Sequence, residues 1–435
     1  MRYSPRAYHL SRAAVILLGF LVFESALLVP LASAQHVVAT VNVGTTPYGI
    51  AYDSGKGEIF VVNRDSSNVS VISDTTNQVV ATIGLGIENG PEYAAYDPAT
   101  NQVWVTVAGI PGVDVISDAT NTVVATVKLA VGSGPNGIVY DPAKGEMFVT
   151  DFVAGAVSII SDSTDKVITR IPLLPGSGPD DAAYDSAKGE VFVADGYATN
   201  TVSVISDSTN KIVANIAVGS ADSNPYGVAY DPAKGEVFVT EAVTNTTVIS
   251  DSTNSVVATV VEPGSVGVGF QDAVYDSARG EIFVANTGNT LSVISDSTNN
   301  VVDTVTVGNS PIGLAYDSAK GEVFSANSID GTVSVVSDVG TSSTTTTSST
   351  IPPTTSVTSS ATQSTQVSTT PSSSSATTTP SSSSATTTTQ SSSSSSSGIP
   401  EFPYQLVVVA FFTVLLAGAY LAVRLRGPSK GRALR

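Results

Sequence analysis

The dipeptide Tyr-Asp occurs seven times, at Tyr52, Tyr96, Tyr140, Tyr184, Tyr230, Tyr275 and Tyr316, at intervals of 44, 44, 44, 46, 45 and 41 residues. A unit of this length that recurs so often is one supersecondary motif that buries its apolar surface only by stacking on its neighbours. Within each unit, four short β-branched runs alternate with turn residues, and four strands per unit point to a β-propeller. The strands, A to D, are a Gly-Ile-Ala-Tyr-like run, one such as "GEIFVVN", one such as "VSVIS" and one such as "QVVATI". The expected fold is all-β: a seven-bladed propeller of four-stranded blades over residues 35–340.

The turns carry their own chemistry. "DSGKGE", "DPAKGE", "DSAKGE" and "DSARGE" join A to B, with Asp first and Gly late, as in a type I turn closed by a left-handed residue. "SDTTN", "SDATN", "SDSTD" and "SDSTN" join C to D and end on Asn77, Asn121, Asp165, Asn210, Asn254 or Asn299. Asp accepts backbone N–H bonds at a turn start, and Asn or Asp tolerates the left-handed conformation at its end. The cluster of oxygens in "VISDTTNQVVATIG" (Val71 to Gly84) is therefore a hairpin rather than a site, because a catalytic group is not copied into six blades. Blades one to six each carry a D run, whereas the seventh stops at Asp338 without one. "HVVATVNVG", from His36, matches the D pattern ahead of the first A strand. It is expected to pair with strand C of blade seven and close the ring, which removes a sheet edge.

"MFVTD" (Met147 to Asp151), "VFVTE" (Val237 to Glu241) and "IFVAN" (Ile282 to Asn286), each followed by "VSVIS"-like and "VVATV"-like runs, resemble the YVTN repeat family of β-propellers of archaeal and bacterial surface proteins. The likeness covers His36 to Asp338, although Phe or Trp104 stands where that family has Tyr. A WD-repeat assignment is weaker, since no Trp-Asp pair occurs. The resemblance implies a scaffold or binding domain of a cell surface or surface layer; related propellers include lactonases and quinoprotein-like enzymes.

The flanks fit export. Arg2, Arg6 and Arg12 precede an apolar run and Ala32-Ser33-Ala34, a small-x-small cleavage pattern, so residues 1–34 read as a signal peptide. Residues 341–401 are almost wholly Ser, Thr, Pro, Gln and Ala, a composition that cannot build a core, and read as a disordered stalk. Tyr404 to Val423 lie in an apolar run (402–424) long enough for a transmembrane helix, and the basic tail 425–435 follows Arg424, an arrangement that keeps the C-terminus cytoplasmic. The stalk followed by "IPEFP" (Ile399 to Pro403) and the span resembles archaeal surface-layer proteins. The expected location is the outer face of the cell membrane.

The signal carries +2 and the segment from Phe402 carries +5, so residues 35–401 hold a net −25 within the total of −18. That charge argues against nucleic acid, which needs Lys and Arg to replace counterions. It equally serves plain solubility. With no Cys in the chain and His36 alone outside the signal, thiol catalysis, His-based triads and multi-histidine metal sites are excluded.

In an up-and-down blade the A–B and C–D turns share one face and the B–C and D–A connections share the other. The first face is monotonous, and Lys56, Lys144, Lys188, Lys234, Arg279 and Lys320 all fall there. The second varies, as in "VNRDSSN", "TDFVAGA" and "ADGYATNT", and variable loops on a rigid scaffold are where binding concentrates. It is expected to be acidic, to point away from the membrane, and to expose Asp65 and Asp195. The innermost ring at its channel mouth is the residue four before each repeating Tyr: Tyr48, Glu92, Asn136, Asp180, Tyr226, Gln271 and Ile312. One position later Gly is usual, but Asp181 and Asp272 replace it. Glu92, Asp180, Asp181 and Asp272 are the candidate ligands for a cation such as Ca2+ or for a small polar molecule; the competing reading is solvated loop carboxylates. Asn68 and Asn245 begin sequons in B–C loops and are candidate glycosylation sites.

Two functions follow. One is a non-enzymatic cell-surface propeller that binds an envelope protein or glycan, or its own copies in a surface lattice. The other is a metal-dependent hydrolase such as a lactonase, using the acidic mouth. A quinoprotein or electron-transfer role lacks Cys and His ligands.

Overall fold

A computed structural model describes residues 35–86, 89–220, 223–242, 245–261 and 270–337. Among them, 28 strands form seven four-stranded antiparallel sheets. Blade one is typical: Pro47–Asp53 (A), Glu58–Asn63 (B), Asn68–Ser73 (C) and Gln78–Gly84 (D) pair in chain order. The A strands Pro47–Asp53, Pro91–Asp97, Pro135–Asp141, Ser177–Asp185, Pro225–Asp231, Phe270–Asp276 and Pro311–Asp317 touch one another in sequence and close a ring around the channel. Closure is as the D pattern of the N-terminus predicts. His36–Asn42 is the outermost strand of blade seven and pairs antiparallel with Thr332–Ser337, so the first and last strands share one sheet.

Each blade is apolar on both faces and buries them against the two neighbouring blades. Seven apolar clusters fill the seven spaces between blades. Every B strand contributes one fully buried aromatic: Phe60, Trp104, Phe148, Phe192, Phe238, Phe283 or Phe324. Each packs toward the following blade; Phe60, for example, lies with Val103, Val105 and Ile116. Truncating one to Ala removes about 3–5 kcal/mol by the usual cost of such cavities. The D strands are the exposed sheet edges. Each is kinked by a bulge, as between Val71 and Ile72 opposite Ala81 and Val79, which blunts edge-to-edge pairing.

The turns form as their residues dictate. Asn77, Asn121, Asp165, Asn210, Asn254 and Asn299 have φ between 49° and 54°, and Gly57 takes 67° in the A–B turn. The repeated Tyr-Asp proves to be a clasp. Asp53 Oδ1 accepts the N–H groups of Gly55 and Lys56 (2.8 and 3.1 Å), which caps its own turn, and its carboxylate also meets the Tyr96 hydroxyl of the next blade. Tyr52 meets Asp317, Tyr140 meets Asp97, Tyr184 meets Asp141, Tyr230 meets Asp185 and Tyr275 meets Asp231 in the same way. Burial, and then these carboxylates, push the phenols above their ordinary range. The turn lysines add a second clasp. Lys144 Nζ donates to the Asp207 carbonyl at 2.9 Å, and Lys56, Lys188, Lys234 and Lys320 reach Asp118, Asp251, Asp296 and Asp74 of the following blades.

No helix among the described residues is long and apolar enough to cross a membrane. The signal peptide (1–34), the stalk (341–401), the span (402–424) and the tail (425–435) lie outside the described residues.

Candidate functional site

Five of the seven A strands begin with Pro and a sixth carries Pro179 at the same register position, and each strand gains one extra residue against its B strand directly afterwards. Pro47 opposes Asn63, yet Ile50 opposes Val61, and the same shift recurs in all seven blades. The residues inside these bulges are the predicted ring: Tyr48 with Gly49, Glu92 with Tyr93, Asn136 with Gly137, Asp180 with Asp181, Tyr226 with Gly227, Gln271 with Asp272, and Ile312 with Gly313. A bulge re-aims a side chain out of the alternating pleat, which is why these positions face the channel mouth. Pro suits the spot because an inner strand is a sheet edge that needs no further N–H donor.

The bulges are held between blades. Thr106 donates to the Asn136 carbonyl at 2.6 Å, Thr150 to that of Asp180 at 2.9 Å and Thr240 to that of Gln271 at 2.7 Å, each in the next blade. Blades one, four, six and seven have Val62, Ala194, Ala285 and Ala326 in place of that Thr, and in blades four and six an aspartate bonds to the next blade instead. Asp181 Oδ2 accepts the Val228 N–H at 3.1 Å, whereas Asp272 accepts the N–H groups of Leu314 and Ala273 at 2.8 and 2.7 Å. The second bulge residue is Gly in blades one, three, five and seven and larger in blades two, four and six. A Cβ on Gly137 would sit 2.8 Å from Asp181 Cα, and one on Gly227 would sit 2.7 Å from Asp272 Cα, so the backbone of the following blade admits no side chain at these two positions. Asp181 and Asp272, where Gly is usual, staple adjacent blades. Both carboxylates, expected from the sequence as candidate ligands, are thus engaged by backbone N–H groups.

One cavity of about 310 Å3 opens at the mouth and gathers Tyr48, Glu92, Asn136 and Asp180 of the predicted ring. Tyr226 lies close enough to Asp180 to feel its charge, while Gln271, Asp181 and Asp272 do not line the cavity. Three further lining residues, Arg64, Ala108 and Phe152, occupy the same position just after the B strand in successive blades. Arg64 Nη2 is 3.2 Å from Glu92 Oε1, and its guanidinium lies 5.4 Å above the Tyr48 ring, which packs edge-on against Tyr93. Asn136 Nδ2 donates to Asp180 Oδ1 at 2.9 Å. Burial pushes Glu92 up to about 7 against the pull of Arg64, and Tyr48 up to about 12. Burial, then the Asp181 charge, raises Asp180 to about 8. Asp181 and Asp272 are held above the usual carboxylate range by burial, Asp272 further by the charge of Asp181.

Four sequence expectations change here. Glu92, Asp180, Asp181 and Asp272 do not converge as one ligand set: among the described residues no three His, Cys, Asp or Glu side chains are grouped to hold a metal ion. The outward face is not purely acidic, since Arg64 stands at its centre. Asp65 is exposed as expected, but Asp195 sits fully buried in strand Glu190–Tyr197 and accepts bonds from Ser177, Ser203 and Thr201. Asn68 and Asn245 are the half-buried first residues of C strands rather than loop residues, and the Asn68 amide is already engaged with Asn63 and Ser66. Sequence reasoning also missed Arg64, Tyr93 and Phe152. Tyr93 is a third departure from Gly in its column, and aligning the blades one residue past strand B exposes Arg64 as the lone cation among Ala108, Phe152, Gly196, Ala242, Thr287 and Ser328.

No family model matches the chain, and no curated protein matches it. Among solved structures, hydrazine synthase of Kuenenia stuttgartiensis superposes with a TM-score of 0.61 at 17% identity, over 67% of this chain and 96% of that one. Such a likeness establishes the propeller fold alone, because unrelated functions share this scaffold.

Proposed function

We propose that the chain is a non-enzymatic cell-surface propeller that presents its variable face for binding in the envelope. One observation carries this reading. Apart from the outer strands that form the rim, the large apolar side chains left exposed among the described residues, including Ile110, Val131, Val153, Tyr197 and Ile329, belong to the variable face. The opposite face has none in its turns and is instead occupied by the Tyr-Asp and lysine clasps. Exposed apolar groups gathered on one side, amid loops that differ from blade to blade, are what a binding face requires. The export signal, stalk, anchor and YVTN-like pattern support a location outside the membrane. The hydrolase reading needs carboxylates gathered for a metal, and the mouth disperses them between an ion pair, an amide and two backbone staples.

The test is retention of the purified full chain, its anchor kept in mild detergent, on immobilised cell-envelope material stripped of lipid. Val153→Ser combined with Tyr197→Ser on the variable face should reduce retention about tenfold or more, while Thr100→Ala on the opposite face should leave it unchanged. Equal effects on both faces would refute the assignment.

A further inference from the structure

We propose that the mouth cavity binds a single uncharged sugar ring, with Phe152 and Pro135 as its apolar wall and Arg64, Glu92, Asn136 and Asp180 as its polar wall. The inference rests on the reading of the variable face as a binding face and names the ligand of its centre. Size comes first. At about 310 Å3 the cavity stands at the low end of small-molecule sites, roughly 300–1,000 Å3, and has room for one ring rather than a folded chain.

Chemistry then narrows the class. The polar wall mixes donors with acceptors: Arg64 supplies N–H groups, and Asn136, whose amide nitrogen donates to Asp180, carries a side-chain carbonyl that can only accept. Hydroxyls both donate and accept, so a polyol satisfies such a wall where a plain cation or anion leaves half of it unpaired. The ionic groups also offset one another. Arg64 is matched by Glu92, and burial holds Asp180 toward its neutral form, so the cavity has no large charge with which to capture an ion. A metal lacks a ligand set here as well, since no three suitable side chains are grouped among the described residues.

The site is held in place before any ligand arrives. Arg64 is fixed by Glu92, by the Tyr48 ring and by its own N–H to the Thr46 carbonyl at 2.9 Å. The Phe152 N–H donates to the Gly134 carbonyl at 2.9 Å, which fixes its backbone at the mouth, and the ring lines the cavity. Pre-held groups lose little rotamer freedom on binding, the main cost for weak polar ligands. The C–H face of a pyranose would lie on Phe152 and its hydroxyl edge would meet Asn136, Asp180 and Arg64.

The experiment is calorimetry with saturation-transfer NMR on the full chain in a mild detergent. Its probes are the methyl glycosides of glucose, mannose, galactose and N-acetylglucosamine, with methylammonium and acetate as charged controls. At least one glycoside should bind saturably, near the millimolar dissociation constants typical of single weak contacts, and neither charged control should compete. Phe152→Ala and Asn136→Ala should each weaken binding about tenfold without lowering the unfolding midpoint by more than a few degrees, while Thr100→Ala should not weaken it. Binding by none of the glycosides, binding unchanged in both mouth variants, or displacement by methylammonium overturns the inference. Glycoside failure with envelope retention intact defeats the sugar assignment and leaves the binding face standing; loss of retention through both faces defeats the broader reading itself.

Discussion

The two faces of the disc are built from the same repeat and yet use it in opposite ways. On the turn face nearly every polar group has a duty copied from blade to blade: Asp53 and its equivalents cap a turn and meet a tyrosine, and Lys56, Lys144, Lys188, Lys234 and Lys320 reach the next blade. On the loop face the backbone bulge is copied, but the side chain it presents differs at every blade except for the tyrosines of blades one and five. Repetition therefore marks what the scaffold needs, and side-chain variation on a repeated backbone marks where function has room. Asp181 and Asp272 refine the lesson, because they vary and are nonetheless structural.

The largest effect should come from removing what both faces depend on. Deleting His36–Asn42 exposes the edge of Thr332–Ser337 and takes Val41 from its apolar cluster, so stability should fall by about 4 kcal/mol or more, roughly 8 °C or more in midpoint, with aggregation visible by gel filtration. A fully cooperative transition at the wild-type midpoint would show that closure is not by this strand. Next, Asp141→Ala on the turn face orphans the N–H groups of Ala143 and Lys144 and leaves the Tyr184 hydroxyl with Asp207 alone, at a cost of about 2–3 kcal/mol. Gln271→Ala on the loop face should cost about 0.5 kcal/mol or less in the same denaturant titration. Parity between the two would erase the contrast between faces.

A pH series sharpens it further. Glu92 and Asp180 have folded-state values of about 7 and 8, whereas unfolded carboxyls titrate near 4, so between those limits the folded chain binds more protons than the unfolded one. Their contribution to stability is complete below about pH 4 and is lost as pH rises through 7 and 8. The urea midpoint should fall from pH 5 to pH 8.5, and Asp180→Asn should flatten that fall; an unchanged slope in the variant would remove Asp180 from the account. Smallest is Trp104→Phe. The Trp104 indole N–H is buried without a partner and six blades carry Phe there, so lost volume and a relieved donor should nearly cancel, within about 1 kcal/mol by thermal unfolding.

Most of the fold was legible because its signals are local. Turn residues with left-handed φ, β-branched alternation and a fixed period lie within a few residues of the structure they cause, and the seven units repeat that evidence. The site was legible only in outline. Counting back four residues from each Tyr located the ring, yet it did not reveal that Tyr48, Glu92, Asn136 and Asp180 share a cavity with Arg64 and Phe152 whereas Gln271 stands apart from it. Asp195 misled because its place at the end of a B strand resembles a loop in the chain, while in the blade three hydroxyls enclose it.

The sequence by itself determined seven blades, four strands in each, the turn chemistry and the donated closing strand, since hydrophobic period and turn propensity act over a few bonds. Only the tertiary structure decided that Tyr-Asp is a clasp between blades, that Asp181 and Asp272 staple their neighbours, and that Arg64 neutralises Glu92 at the mouth. Those outcomes depend on which side chains meet across adjacent blades. Partners there belong to different repeats and are joined only when the blades pack side by side.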